Sequence, residues 1–237
     1  MRQWTRQVGY PVLTVPDDLA KPVAQQRFLT SGEQGEGHWL LPLSALVGDD
    51  LRRVDLGMVG TDADYARVSA WLREHQGQLV KLNAGQTGFF RVNYNASLWA
   101  AILRNWLRLP LVDRLGVLAD GRRPRSDEGE PHCGLTLTER RRVTVADGNI
   151  AFALAKAGQM PLARLLDLLV ANRDDRTLVA WQEIALHLDG YCRLFANAPW
   201  FPLLQRLVVE LFAPVHQWVV DAARGAGTET ESTLAVR

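Results

Sequence analysis

The sequence predicts a mixed protein of two domains, an N-terminal antiparallel β-sandwich over residues 1–95 and an all-α domain of antiparallel helix pairs over residues 96–237. Two observations support this fold class. Up to Tyr94, short segments rich in Val, Leu and aromatic residues alternate with turn-forming clusters, a pattern typical of strands joined by turns. Beyond Asn95, apolar residues recur at helical spacing, which predicts amphipathic helices.

The predicted strands of the first domain are GYPVLTV, QQRFLT, HWLLPL, LVKLNA and GFFRVNY. Alternation within FFRVNY places Phe90, Val92 and Tyr94 on one face of its strand and the intervening residues on the other. Several short strands in one region favour a small antiparallel sandwich. Residues 62–76 have helical propensities instead, so we expect a helix between strands there.

The Gly85-Gln86-Thr87-Gly88 stretch resembles a phosphate-binding loop only superficially. It lacks the Lys-Ser/Thr of a P-loop and the third glycine of a dinucleotide fingerprint, and a predicted strand follows it. Glycines supply positive φ at low cost. We therefore interpret the stretch as a β-turn that joins LVKLNA to GFFRVNY as a hairpin.

The second domain shows its helical period most clearly after Pro161. An apolar stripe at i, i+3, i+4, i+7 and i+8 is wide enough to bury one helix face; it comprises Leu162, Leu165, Leu166, Leu169 and Val170. We interpret Gly158 as the stop of the preceding helix and Pro161 as the first turn of the next. Short connections of this kind favour antiparallel helix pairs.

Residues 121–146 fit neither pattern and are predicted to be a disordered insertion. The segment is charged and polar without a period that could bury a face. Ala-Asp-Gly stands at both edges, at 119–121 and 146–148, and deleting one copy with the residues between restores a continuous helical pattern. The run Arg140-Arg141-Arg142 is balanced by nearby carboxylates, so we expect a solvated loop; these carboxylates are Asp127, Glu128, Glu130 and Glu139.

Composition argues against several classes of partner. The chain has 27 Lys and Arg against 26 Asp and Glu, so charge gives no reason to expect nucleic acid or an anionic membrane. No stretch approaches the roughly 18 to 20 apolar residues that span a bilayer. Two cysteines cannot form a disulfide framework, so we expect a cytoplasmic protein.

The histidines do not form a zinc motif. None is followed by Glu, and no two are four residues apart; they are His38, His75, His132, His187 and His216. Adjacent His132 and Cys133 could each ligate a metal, but no second pair is spaced to complete a tetrahedral site. Cys192 has no His in a motif-like relation, and we interpret it as a core residue rather than a nucleophile.

Asp113 and Arg114 form the most tempting functional pair, since an acid beside a guanidinium can serve many reactions. A structural role is the better interpretation: Asp113 caps a helix, and Arg114 links the sandwich to the helices. We therefore assign no catalytic, cofactor-binding or metal-ligating residue in this chain.

Three stretches carry a family resemblance. They are WTRQVGYPVLTV with QQRFLTSG and HWLLPL, then KLNAGQTGFFRVNYN at 81–95, and DRLGVLAD with FALAKAG and VAWQEIA at 113–120, 152–158 and 179–185. In order and spacing they resemble the region after the catalytic domain in zinc aminopeptidases of the puromycin-sensitive and aminopeptidase N type, the gluzincin family. The resemblance implies a β-sandwich followed by the start of a helical domain of the ERAP-like C-terminal type.

That family's chemistry requires His-Glu-x-x-His on a helix with a further Glu as third zinc ligand. The sequence contains no such motif, and the family's Gly-x-Met-Glu-Asn motif and transition-state tyrosine are also absent. The resemblance therefore implies zinc in the parent family but none in this chain. It also implies that the chain alone is inactive.

Two functional hypotheses follow. The first is a non-catalytic C-terminal portion of an aminopeptidase, which shapes the chamber that receives the peptide substrate and arises from a truncated gene model or splice product. The second is a stand-alone interaction module whose exposed apolar helices bind a partner or self-associate.

Overall fold

The computed structural model describes Gln7 and residues 9–29, 37–118 and 150–234. It divides into two compact units, Met1–Leu165 and Leu166–Arg237. The predicted insertion at 121–146, with His132, Cys133 and the Arg140–Arg142 run, lies outside the described residues. Within the described ranges, sheets occupy the N-terminal half and helices dominate the rest, which agrees with the predicted mixed fold class.

In the described part of the first unit there are two three-stranded sheets. The strands are β1 (Tyr10–Thr14), β2 (Ala24–Phe28), β3 (Leu41–Val47), β4 (Arg52–Val59), β5 (Val80–Leu82) and β6 (Arg91–Asn93). One sheet has the order β2-β1-β6 and the other β4-β3-β5. β1 pairs antiparallel with β2, and β3 pairs antiparallel with both β4 and β5.

β6 departs from the predicted antiparallel pattern because it pairs parallel with β1. The predicted hairpin between LVKLNA and GFFRVNY is also wrong, since β5 and β6 belong to different sheets. The residues between them form a 3₁₀ turn, Ala84–Gln86, rather than a two-residue hairpin loop. The local glycines correctly indicated a turn. Which strands pair depends, however, on segments that are distant in sequence.

Phe90, Val92 and Tyr94, which the alternation places on one face in and beside β6, are all buried. Arg91, on the opposite face, is fully buried as well. Its guanidinium carbon lies 4.0 Å from the ring centroid of Tyr10 and 4.6 Å from that of Phe28. A desolvated cation over an aromatic face contributes about 2 kcal/mol, so the Arg91 charge lies over aromatic rings rather than in water.

The helix expected between strands is present as α1 (Asp62–Glu74). Its N-terminus is a capping box. The Asp64 amide donates to Thr61 Oγ1 at 3.2 Å, and the Thr61 amide donates to Asp64 Oδ2 at 3.0 Å. The helix buries Tyr65, Val68 and Leu72, so the cap and one apolar face explain why these residues leave the strand pattern.

Further helices complete the first unit: α2 (Ala96–Arg104), a 3₁₀ turn (Trp106–Arg108), α3 (Leu111–Leu118) and α4 (Ile150–Lys156). Asn95 caps α2 by accepting the Leu98 amide at 2.9 Å. After α4, Gly158 has φ of 70° and its amide donates to Ala155 O at 3.1 Å. This confirms Gly158 as a helix stop, because left-handed backbone is cheapest for glycine.

α5 (Leu162–Ala171) includes the boundary between the two units. Its buried side chains are Leu165, Leu168 and Leu169, whereas Leu162 and Val170 are 43% and 51% exposed. The predicted stripe was therefore displaced, because it included the exposed Leu162 and Val170 and omitted Leu168, which is fully buried. The buried face is one i, i+3, i+4 set, and Leu162 and Val170 flank it.

The second unit contains α6 (Leu178–Leu194) and α7 (Phe201–Leu234). The Trp181 side chain is buried, and its indole N–H donates to Asp175 O at 2.7 Å. Its ring lies 5.3 Å from that of Phe212 on α7, in an edge-to-face arrangement. Trp181 therefore anchors the contact between α6 and α7, and its indole N–H keeps a hydrogen-bond partner although the side chain is buried.

No helix in the described ranges has both the length and the apolar character needed to cross a bilayer.

We predict that the capping box makes α1 sensitive to acid. The pKa of Asp64 is lowered from 3.8 to about 2, first by the Thr61 hydroxyl and then by the backbone amides of Gly60 and Thr61. Because the folded pKa lies below the unfolded one, this stabilisation is present above pH 3.8 and is lost as the pH falls through 2.

The measurement is the urea midpoint of the wild type and of Asp64→Asn across this pH range. The two midpoints should differ above pH 3.8 and converge near pH 2. Asp62→Asn removes another first-turn charge without altering the capping box, and it should not reproduce the convergence. A constant difference at all pH values would contradict the assignment.

Candidate functional site at the buried Lys81–Asp113 pair

The most elaborate polar arrangement in the described residues is a buried ion pair between β5 and α3. Lys81 Nζ and Asp113 Oδ1 lie 2.5 Å apart, and the two side chains are 1% and 2% exposed. Lys81 Nζ also donates to Asn83 O at 2.7 Å, and the Gly85 amide donates to Asp113 Oδ1 at 2.8 Å. Each charge therefore has a partner of opposite sign and a backbone bond, as buried charges require.

Asn83 closes the loop that leads from this pair to β6. Its backbone is left-handed, with φ of 58°. Its side-chain amide donates to Gly88 O at 2.9 Å, and its Oδ1 accepts the Gly88 amide at 2.9 Å. Asparagine tolerates this backbone better than most residues, so one side chain both permits the turn and satisfies its polar groups.

Burial shifts the pKa of two groups in this cluster. The pKa of Lys81 is lowered to about 8 because burial disfavours the ammonium, although the Asp113 charge opposes the shift. The pKa of the Tyr94 phenol is raised by burial and, secondarily, by the negative charge of Asp113. The phenol donates to Leu82 O at 3.2 Å, so it stays a neutral hydrogen-bond donor.

The cluster is not built for acid–base chemistry on a substrate. A general base must reach the substrate proton within about 3 Å, but Lys81 is almost fully enclosed and already donates to Asp113 and Asn83. Its perturbed pKa therefore reflects burial rather than catalysis. The geometry indicates a structural joint between a sheet and a helix.

The predicted role of Asp113 needs correction. Asp113 does not cap α3, because it is the third residue of the helix and its carboxylate bonds to Lys81 and Gly85. Asp113 itself links the sheet to the helix through these bonds, and the linking role of Arg114 stays a prediction. Sequence reasoning missed Lys81, whose signal was a lone cation within the apolar strand LVKL.

The Gly85–Gly88 stretch cannot serve as a phosphate cradle. The amides of Gly85 and Gly88 donate to Asp113 and Asn83 of the same chain. Those N–H groups are the donors that an anion would need. The geometry thus supports the interpretation that this stretch is not a phosphate-binding loop. The stretch is, however, a 3₁₀ turn and not the predicted hairpin turn.

The remaining predicted candidates are dispersed. His38 and His216 are exposed, whereas His187 is half-buried. His75 Nδ1 lies 2.9 Å from Trp71 O. Cys192 is a free, half-buried thiol on α6 and not the core residue that we expected. In the parts of the chain that the structure describes, no group of three His, Cys, Asp or Glu could hold a metal ion.

No protein-family model matches the chain. Individual proteins are nevertheless similar to it in sequence. Aminopeptidase M1-A of Oryza sativa subsp. japonica is 30% identical over 181 residues, which cover 74% of this chain and 17% of that protein. The chain is related to M1 aminopeptidases.

Two further aminopeptidases show the same relationship. Puromycin-sensitive aminopeptidase of Caenorhabditis elegans is 30% identical over 129 residues, covering 51% of this chain and 13% of that protein. Glutamyl aminopeptidase of Bitis rhinoceros is 26% identical over 243 residues, covering 93% of this chain and 21% of that protein. The chain therefore spans about a fifth or less of the length of these M1 aminopeptidases.

We predict that Lys81→Met is strongly destabilising. Removing the ammonium leaves the Asp113 carboxylate buried without a cation, which costs about 3–5 kcal/mol in the free energy of unfolding. Urea denaturation monitored by tryptophan fluorescence measures the loss.

Asp49→Asn is the matched control. Asp49 Oδ1 lies 3.2 Å from Arg108 Nη1, and these side chains are 88% and 52% exposed. An exposed pair of this kind contributes at most about 1 kcal/mol. If Lys81→Met cost no more than this control, the buried pair would not be the joint described above.

Proposed function

We propose that this chain is a non-catalytic portion of an M1-type zinc aminopeptidase, in which a β-sandwich and the first helices of a helical domain shape the chamber that receives the peptide. The observation that carries the proposal is the sequence relationship. The similarity to the rice aminopeptidase extends over 74% of this chain. The sequence itself contains no His-Glu-x-x-His, the arrangement that holds catalytic zinc in proteases of this type.

The chemistry of the described residues supports a structural part in such an enzyme. The buried Lys81–Asp113 cluster holds a strand to a helix, and its two charged side chains are almost fully enclosed. A rigid wall beside an active site needs this kind of arrangement, since loosely held walls do not fix access or orientation. In this proposal, zinc and the groups that bind the peptide amine belong to the catalytic part of the enzyme.

The test is an activity and metal assay on the purified full chain. We expect no turnover of aminoacyl fluorogenic substrates and far less than one zinc per chain by elemental analysis. An intact puromycin-sensitive aminopeptidase from Caenorhabditis elegans serves as the positive control in both measurements. Turnover by this chain that a zinc chelator abolishes would overturn the proposal.

A second candidate function is an interaction module that self-associates through the helices of the second unit. Its support is a set of exposed apolar side chains on α6, where Val179 and Leu186 are 48% and 40% exposed and stand seven residues apart on one helix face. Two exposed apolar residues of α7, Leu203 and Val209, do not form such a face. They are six residues apart, so their side chains point in different directions around the helix.

Light scattering coupled to size exclusion distinguishes this second candidate. Self-association through α6 should give a dimer that Leu186→Glu converts to a monomer. A monomer at all concentrations would remove this candidate and leave the first untouched. The cytoplasmic location expected from the sequence stays a prediction.

A further inference from the structure

The sequence contains one Asn-x-Ser/Thr triplet, Asn95-Ala96-Ser97. With a residue other than proline in the middle, this triplet is the acceptor motif for N-glycosylation. In that reaction Asn Nδ2 forms a bond to C1 of a sugar and releases a proton, and the bond from C1 to a lipid-linked pyrophosphate breaks, so the pyrophosphate leaves. A glycan is bulky, and acceptors in folded proteins therefore lie in surface loops.

The structure leaves no room for a sugar at Asn95. The residue is 4% exposed. Its Nδ2 donates to Pro16 O at 3.0 Å, and its Oδ1 accepts the Leu98 amide at 2.9 Å as the cap of α2. Both ends of the carboxamide are thus used inside the fold, so a sugar on Nδ2 would have to displace the chain at Pro16.

The residues next to Asn95 belong to the core of the first unit. Leu98 and Trp99, in the first turn of α2, are buried. The Ala96 amide donates to Asp17 Oδ1 at 3.0 Å, so a second bond ties the start of α2 to the segment after β1. Moving Asn95 outward to admit a sugar would break these bonds and expose apolar side chains to water.

We propose that Asn95 is a modification site that folding closes: the chain accepts a sugar at Asn95 only before α2 docks, and a chain glycosylated there cannot form these contacts of α2. The bonds that enclose Asn95 join it to Pro16 and Leu98, and they exist only in the folded chain. Glycosylation and the fold are therefore mutually exclusive at this residue. The proposal does not depend on the aminopeptidase relationship.

Cell-free synthesis of the full chain tests whether Asn95 is an acceptor. The chain is translated behind a cleavable signal sequence with microsomes that supply oligosaccharyltransferase and the lipid-linked sugar, so that the enzyme meets Asn95 before folding. We expect one glycan, which an endoglycosidase removes and which Ser97→Ala abolishes. Ser97 is exposed, so this variant removes the motif and leaves Asn95 in place. A translocated wild-type chain without a glycan at Asn95 would overturn the proposal.

The purified, folded chain tests whether the site is closed. Incubated with detergent-solubilised microsomes that contain the same enzyme and sugar donor, it should stay unmodified by intact mass. Modification of the folded chain to the same extent as the translocated chain would show that the fold leaves Asn95 open, and the proposal would fail.

Limited proteolysis measures what the glycan does to the fold. The glycosylated wild-type chain should be degraded at least roughly tenfold faster than Ser97→Ala made in the same microsomes, because cleavage follows the population of open chains. The sugar is removed only after proteolysis, so that both samples are compared as fragments of the same chain. Equal resistance of the two chains would show that the fold accommodates the sugar and would contradict the proposal.

A glycan on an exposed turn is the matched control. Gln76, Gly77 and Gln78 are all exposed, and a Cβ at Gly77 meets nothing within 4 Å. Gln76→Asn with Gln78→Ser, in the Ser97→Ala background, moves the acceptor motif to this turn. The glycosylated control should keep the protease resistance of Ser97→Ala. An equal loss of resistance in the control would show that a glycan at any position destabilises the chain, and would count against a specific effect at Asn95.

Discussion

The Lys81–Asp113 pair is the constraint on which the join between sheet and helix depends. Two charges removed from water lose hydration that only a close partner and further hydrogen bonds can offset. Here the ammonium and the carboxylate lie 2.5 Å apart, and each also bonds to backbone, at Asn83 O and the Gly85 amide. These four groups fix β5, the turn after it and the first turn of α3 relative to one another, because moving any of them would leave a buried charge unpaired.

The first unit combines this joint with an apolar framework. β3 lies between β4 and β5 and is buried along most of its length. The other sheet has its own buried cation, Arg91, positioned over the rings of Tyr10 and Phe28. Both sheets thus bury a positive charge: Lys81 lies against a carboxylate, and Arg91 lies over two aromatic rings, which also favour a cation.

The relationship to M1 aminopeptidases gives this architecture a functional context. The similarity extends along much of the chain but corresponds to a small share of each relative's length. In the part of the chain that the structure describes, no group of three His, Cys, Asp or Glu could hold a metal ion.

The sequence by itself determined the features that depend on neighbouring residues. The strand and helix patterns of the two halves, the helix at Asp62–Glu74 and the helix stop at Gly158 could all be predicted, because period, helical propensity and positive-φ residues act within a few positions. Tertiary structure alone decided that β5 and β6 enter different sheets, that Arg91 is buried, and that Lys81 meets Asp113 across 32 residues. Those outcomes depend on which distant segments meet in the fold. A local sequence pattern does not show which segment will bury a charge or supply its partner of opposite sign.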